Sequence, residues 1–416
     1  MRIARVQTFP LFLSKEDADN SYAGDSAVAH RGYLIKPPWR SLYSPGYETL
    51  LVKVETDDGL VGWGEALAPV APEVAAAIVD HLLAPLVVGE DPRAVRVLWH
   101  RMTESMRERG HLQGHQADAM AAVDIALWDL WGRATGLSVS ELAGGRFAET
   151  LPAYVSGIRG ADDAERAERA GELADAGVRR IKLHLGTDIA TDLATFDAVR
   201  TAHPDLRLAL DAHWTYRLGE ARTLGRELDE RRAWFFEAPL APEDVEGHRD
   251  LAAAISTPVA VGEAMRSRFE FADWLQRRAT SVIQPDIGRT GITEGLAIAA
   301  LGNAFHAPVA PHHSAAFGVA MAAGVHVAAA SPALLAFEYQ PVTLPVANRI
   351  LTKPLEVTKD GSFLVPRGAG LGVEVDEAAI AANRLSGTWS KPGGPHVRPR
   401  QAGLGLVPNS RAAAER

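Results

Sequence analysis

The 416 residues include no cysteine. Disulfides are thereby excluded, a composition that suits a reducing compartment and sets the expectation of a cytoplasmic protein. Basic residues are outnumbered, 43 against 52 acidic ones, for a net charge of −9, and they are scattered. The electrostatic footprint of a nucleic-acid binder is therefore missing. Long apolar runs are scarce as well. The first residues, MRIARVQTFPLFL, hold too short an apolar run, broken by Pro10, for a secretion signal. Ala310 to Phe337 contains no Asp, Glu, Lys or Arg, but it carries His312, His313 and His326 and is interrupted by Pro332. It reads as a buried strand and helix, so no membrane span is expected. Of the residues present, 47% are hydrophobic, enough for a large core in a chain whose length suggests two domains.

The most informative stretch is RLALDAHWTY, from Arg207 to Tyr216, an apolar strand ending on Asp211 and His213. Alternate side chains of a strand share a face, so the carboxylate and the imidazole are expected in the same space. Similar endings recur on both sides of it: Lys182, Asp211, Glu237, Glu263, Asp286, His312 and Glu338, separated by 29, 26, 26, 23, 26 and 26 residues on subtracting positions. That step fits one strand, one helix and two short loops, the unit of a parallel barrel. Polar residues at the carboxyl ends of successive barrel strands converge on one mouth.

Ahead of the barrel, residues 1–150 read as an α+β domain. Ile3 to Phe12, Thr49 to Glu55 and the turn leading into LVGWGEA have strand character. Helical periodicity follows at Pro72 to Val88, Pro92 to Arg109 and Gln116 to Thr135. Between the first strands, Ser14 to Gly46 is long and polar, either a lid or a disordered stretch. As a lid it would bring Tyr22, His30, Trp39 and Arg40 to the substrate. The barrel is expected over 151–355, residues 356–385 return to the first domain, and 386–416, rich in Pro, Gly and Arg, form a mobile tail unless a partner orders it.

Three carboxylates at consecutive strand ends, Asp211, Glu237 and Glu263, could not all stay ionised at close range without a cation. Any one alone would read as a solvated loop carboxylate, but three at regular steps do not. Hard oxygen ligands of this kind suit one Mg²⁺ ion with open positions for water and substrate. Asp286 and His312 end neighbouring strands, and a carboxylate on one ring nitrogen would orient the imidazole and leave the other to move protons. Lys182 and His184 share a face: Lys182 is placed to hold a substrate carboxylate and His184 to act as a second base or polar contact, unless they are solvated at the rim. Glu338, if buried and protonated, would donate a hydrogen bond to a carboxylate.

Together these residues resemble the enolase superfamily, and within it the mandelate racemase subgroup. The resemblance rests on DDGLVGWGEA, AVDIALWDLWGRATG, the Lys182-Leu183-His184 strand end, Asp211, Glu237, Glu263, QPDIGRTGIT, APHHS and FEYQ, in that order over nearly the whole chain. It implies an α/β fold with a modified (β/α)7β TIM-like barrel under an amino-terminal α+β capping domain. It also implies Mg²⁺ on the three acids, a homo-oligomer, and removal of the proton α to a carboxylate through an enediolate. Three positions depart from the subgroup's pattern. Lys-x-Lys is here Lys182-Leu183-His184, Asp-x-Asn is Asp211-Ala212-His213 as in the family's acid-sugar dehydratases, and Ala238 replaces an acidic residue after Glu237.

In that reading His312 with Asp286 takes the α-proton, and His213 or His312 protonates a departing β-hydroxyl. The expectation is a Mg²⁺-dependent dehydratase acting on a sugar acid and giving a 2-keto-3-deoxy acid. His184 on the opposite face keeps a racemase, epimerase or cycloisomerase open, and a non-catalytic acid-sugar binding barrel is the remaining alternative.

Overall fold

In the computed structural model the apolar and polar alternation of the strands builds the molecule. The structure describes residues 1–13, 28–30, 33–35, 41–44 and 46–385. Strands β1 (Ile3–Leu13), β5 (Tyr47–Thr56) and β6 (Val61–Ala66) form an antiparallel sheet in the order β1-β5-β6. The short strands β2 (Val28–His30), β3 (Tyr33–Ile35) and β4 (Leu42–Tyr43) form another. Helices α1 (Pro72–Ile78), α2 (Val95–Arg107) and α3 (His115–Thr135) follow, and Gly136, at φ 73°, ends α3 in the left-handed conformation.

Helix α3 lies directly on β6. A Cβ added at Gly64 would stand 1.8 Å from the Ala122 carbonyl oxygen, and one at Gly62 would stand 2.3 Å from that of Ala126. The GWG of this strand is thus a backbone contact that only glycine permits. The same helix buries three acids with defined partners. Asp129 accepts from the Trp63 and Leu371 amides, Asp124 from the amide and hydroxyl of Thr293, and Asp118 from Arg266. Sheet, barrel and carboxyl-terminal segment are therefore tied to one helix, and the described residues up to Arg384 make one compact unit.

The barrel strands are β7 (Ala153–Ser156), β8 (Arg180–His184), β9 (Arg207–Asp211), β10 (Phe236–Glu237), β11 (Val259–Val261), β12 (Val282–Ile283) and β13 (Phe337–Tyr339), all parallel. Val309 bridges Ile283 on one side and Leu334 on the other, and β13 pairs with β7, so the ring closes through eight staves. One helix follows each of the first seven staves, from Asp163–Asp175 to Gly318–Ala329. This is the (β/α)7β order.

Strand alternation decides what faces inward. Ile181, Leu183, Leu208, Leu210, Phe236, Val259 and Val261 pack outward into the main core with the helices. Tyr154, Ala209, Phe235, Ala260, Val282, Ala310 and Ala336 form a separate layer inside the barrel. Residues 182, 184, 211, 237 and 338 continue the inner set toward the carboxyl ends of the strands. Among the described residues, no helix is long and apolar enough to cross a membrane.

Candidate active site

At the carboxyl ends of the strands lies a cavity of about 350 Å³, lined by Lys182, His184, Asp211, His213, Glu263, Arg289, His312 and Glu338 from the barrel and by Tyr43, Ser44, Tyr47 and Glu48 from the amino-terminal part. Lys182 is 1% exposed, and its Nζ is 2.7 Å from Glu237 Oε1, 2.8 Å from Glu338 Oε1 and 3.6 Å from Asp211 Oδ2. Burial alone would discharge the amine, but Glu237 and Glu338 outweigh it and hold its pKa well above the ordinary lysine value. Gln284 Nε2 donates to the other oxygen of Glu237.

Glu338 is buried, as the conditional reading required, but its neighbours disfavour the protonated form that donation to a carboxylate needs. Burial raises its pKa, yet Lys182 and His312 more than offset that and keep the carboxyl below its ordinary value. Glu338 accepts from the Tyr154 hydroxyl at 3.0 Å and pairs with Lys182 Nζ at 2.8 Å, so both contacts use it as an acceptor. Lys182, seated among three acids, offers its charge to the cavity only in competition with them.

His312 and Asp286 form the expected dyad, Nδ1 to Oδ2 at 2.7 Å, and Asp286 also caps the following helix by accepting from the Gly288 amide. The other ring nitrogen, Nε2, stands 3.1 Å from Glu263 Oε2. Burial opposes a charge on the ring, but the bonds to Asp286 and Glu263 prevail and lift its pKa well above the ordinary histidine value. With Nδ1 on Asp286 and Nε2 on Glu263 both ring nitrogens are engaged, so His312 can take a proton from a substrate only when Nε2 leaves Glu263. His313 is buried against Phe337, with burial pushing its pKa down to about 4.

On the adjacent parallel strand, His184 is the direct register partner of Asp211. Burial pushes His184 down to about 4, so this imidazole is neutral. Its ring lies 4.8 Å from that of His213. Alternation along the strand is not what brings His213 there. Strand β9 stops at Asp211, and His213 and Trp214 adopt positive φ of 46° and 63°, with the His213 amide donating to Asp211 Oδ1 at 2.9 Å. A tight left-handed turn folds the imidazole back over the mouth; such strain is tolerated where the surroundings hold it, as the Trp214 indole does by donating to Glu263.

The oxygen chemistry of Asp211, Glu237 and Glu263, at the ends of consecutive strands, suits a hard divalent cation, while in this structure Glu237 is held by Lys182 and Gln284 and Glu263 by His312 and Trp214. Five carboxylates, Asp211, Glu237, Glu263, Asp286 and Glu338, surround Lys182 and His312. Burial, reinforced by Asp211, Glu338 and Glu263, pushes Glu237 up to about 8 in spite of Lys182. That is the signature of negative charge in excess of its partners, which a divalent ion would balance.

Sequence reasoning missed several groups. Tyr43, its pKa pushed up to about 12 by burial and by Glu263 and Asp211, sets its hydroxyl 3.1 Å from His213 Nε2. Arg289 lines the cavity one turn after Asp286, within the QPDIGRTGIT stretch that marked the strand end, and its position on the first helical turn was the available signal. Of the loop residues expected to contact substrate, Tyr22, Trp39 and Arg40 lie outside the described residues, as does the tail 386–416; of His30 the structure describes the strand it belongs to.

Residues 164–379 match the family model described as enolase C-terminal domain-like, and residues 43–144 match the mandelate racemase/muconate lactonizing enzyme N-terminal domain. A D-galactarolactone cycloisomerase from Agrobacterium fabrum is 34% identical over 360 residues, covering 81% of this chain and 91% of that protein. A D-galactonate dehydratase from Variovorax paradoxus is 34% identical over 381 residues, covering 86% of this chain and 95% of the relative. The crystal structure of a member of the enolase superfamily from Agrobacterium tumefaciens superposes with a TM-score of 0.88 at 31% identity, covering 92% of this chain and 99% of that one.

Proposed function

The chain belongs to the mandelate racemase/muconate lactonizing enzyme family of the enolase superfamily, and on that premise we propose that it is a Mg²⁺-dependent dehydratase of a sugar acid, an aldonate or aldarate. The product is a 2-keto-3-deoxy acid. The observation that carries the reading is the meeting, in one cavity, of an oriented His312–Asp286 dyad, a neutral His184 beside His213, and a carboxylate cluster with excess negative charge. Names among the relatives support it, since galactonate and arabinonate dehydratases recur there.

Asp211, Glu237 and Glu263 would hold the Mg²⁺, which when bound supplies positive charge beside the substrate carboxylate as the α-proton leaves. Lys182 adds a fixed positive charge on the same side and keeps Glu237 and Glu338 compatible with burial. Asp286 fixes the His312 ring through Nδ1, so protons move at Nε2. Glu263 has to give up that nitrogen before His312 can accept a proton from carbon. As an imidazolium the same residue can return a proton to a departing β-hydroxyl, and His213, held by Tyr43, is the other candidate donor. The hydroxyls of Ser44, Tyr47 and Thr343 at the cavity wall suit a polyhydroxylated ligand. A cytoplasmic homo-oligomer completes the proposal, checked by cell fractionation and light scattering.

A second reading is favoured by two separate imidazole centres in one cavity, His312 on Asp286 and His184 beside Asp211, and by the cycloisomerases among the relatives. With a base on each face, proton removal can be followed by proton return or ring opening instead of loss of water. The test is a screen of aldonic acids, aldaric acids and their lactones with Mg²⁺, read by NMR. A 2-keto-3-deoxy product from an open-chain acid is the expected result. Solvent deuterium at C2 of recovered substrate without any keto product would reject dehydration in favour of the second reading, and turnover that survives EDTA would reject the metal.

A further inference from the structure

The mouth of the barrel also assembles nitrogen ligands that the three-carboxylate site does not use. His184 and Asp211 face each other in register on adjacent parallel strands. The left-handed turn at His213 carries a second imidazole to the same spot, 4.8 Å from the ring of His184. One ligand atom from each of His184, Asp211 and His213 lies within 4.8 Å of the others. The Tyr43 hydroxyl, 3.1 Å from His213 Nε2, fixes that ring from outside, as outer partners do for metal-bound imidazoles.

Two imidazoles and one carboxylate are a borderline donor set, suited to Zn²⁺ or Co²⁺, whereas Mg²⁺ prefers oxygen throughout. We propose that His184, Asp211 and His213 form a second cation site, selective for such transition-metal ions, with its remaining coordination position open to the cavity. Asp211 is common to this site and to the carboxylate triad. An ion held by the imidazoles takes that ligand away from the triad and occupies both rings, so Zn²⁺ inhibits in competition with Mg²⁺. The competition rests on the Mg²⁺ reading given above; the site itself does not.

The test uses the full chain stripped with a chelator. Zn²⁺ affinity is read by competition with a chromophoric chelator, and Co²⁺ is used for its visible d–d absorption. His184→Gln and His213→Gln are expected to weaken Zn²⁺ at least about tenfold each and to abolish the intense Co²⁺ band. Glu237→Gln, which removes a ligand of the carboxylate site alone, should leave Zn²⁺ affinity within about threefold. X-ray absorption of the Zn²⁺-loaded wild type, expected to show two imidazole scatterers, answers independently of whether a variant folds. An all-oxygen shell, histidine variants that bind Zn²⁺ as well as wild type, or an equal loss in Glu237→Gln would overturn the site. Failure of Mg²⁺ to bind or activate would count against the dehydratase reading and leave the Zn²⁺ shell measurable.

Discussion

Replacing Lys182 with Met removes the ammonium that stands 2.7 Å from Glu237 and 2.8 Å from Glu338 and leaves the cavity with buried, uncompensated carboxylates. Removing one partner of a buried ion pair costs about 3–5 kcal/mol. The size of the loss should depend on pH, and the sign follows from Glu338, whose carboxyl Lys182 and His312 hold below its ordinary value against burial. Without the ammonium, burial carries the Glu338 carboxyl upward. The folded variant then binds a proton that the unfolded chain releases near pH 4.5, so its stability is complete below that pH and falls as pH rises. Each pH unit over which one extra proton is retained corresponds to about 1.4 kcal/mol. Urea denaturation of wild type and Lys182→Met in EDTA at pH 5, 6.5 and 8 measures this, with the destabilisation expected to widen steadily toward pH 8. Mg²⁺ at pH 8 should restore part of it, because the ion neutralises the same acids. A destabilisation that is constant across pH, or smaller at pH 8 than at pH 5, would refute the charge balance drawn for the site.

His312→Asn should slow exchange of the substrate α-proton with solvent by about 10²–10⁴-fold with little change in KM, measured by deuterium incorporation. Asp286→Asn should reproduce much of that loss while leaving the imidazole in place, because the ring loses the group that orients it. Asp124, fully buried, is pushed up to about 7 by burial in spite of the bonds from Thr293. Its raised value makes wild-type stability fall between pH 4 and 7 by up to about 4 kcal/mol, and Asp124→Asn should flatten that slope in urea titrations. Gly64→Ala would place a methyl 1.8 Å from the Ala122 carbonyl and should cost about 1–3 kcal/mol or more in the same assay.

Much of the architecture is written locally. The 26-residue step of strand ends, the glycine after α3 and the alternation of apolar and polar residues through RIKLH and RLALD are short-range patterns, so the order of staves and the inward turn of Lys182, His184, Asp211 and Glu237 were legible from the chain alone. The His312–Asp286 pair was legible for the same reason, since neighbouring strands in sequence are neighbouring staves in the ring.

What the sequence could not convey is how the charges settle. The Glu338 carboxyl is held below its ordinary value because Lys182, from a strand remote in sequence, lies against it, and the His312 ring is held above its own because Glu263 meets the nitrogen that Asp286 leaves over. Protonation is a sum over every charge around a buried group, and that sum exists only once the ring has closed. The turn at His213 and the approach of Tyr43 are decided in the same way. Neither follows from strand periodicity, and both depend on contacts between chain segments that only the folded barrel brings together. The sequence by itself determined the fold and the list of chemical groups at the mouth; the tertiary structure decided which of them are acids, which are bases and which hold one another in check.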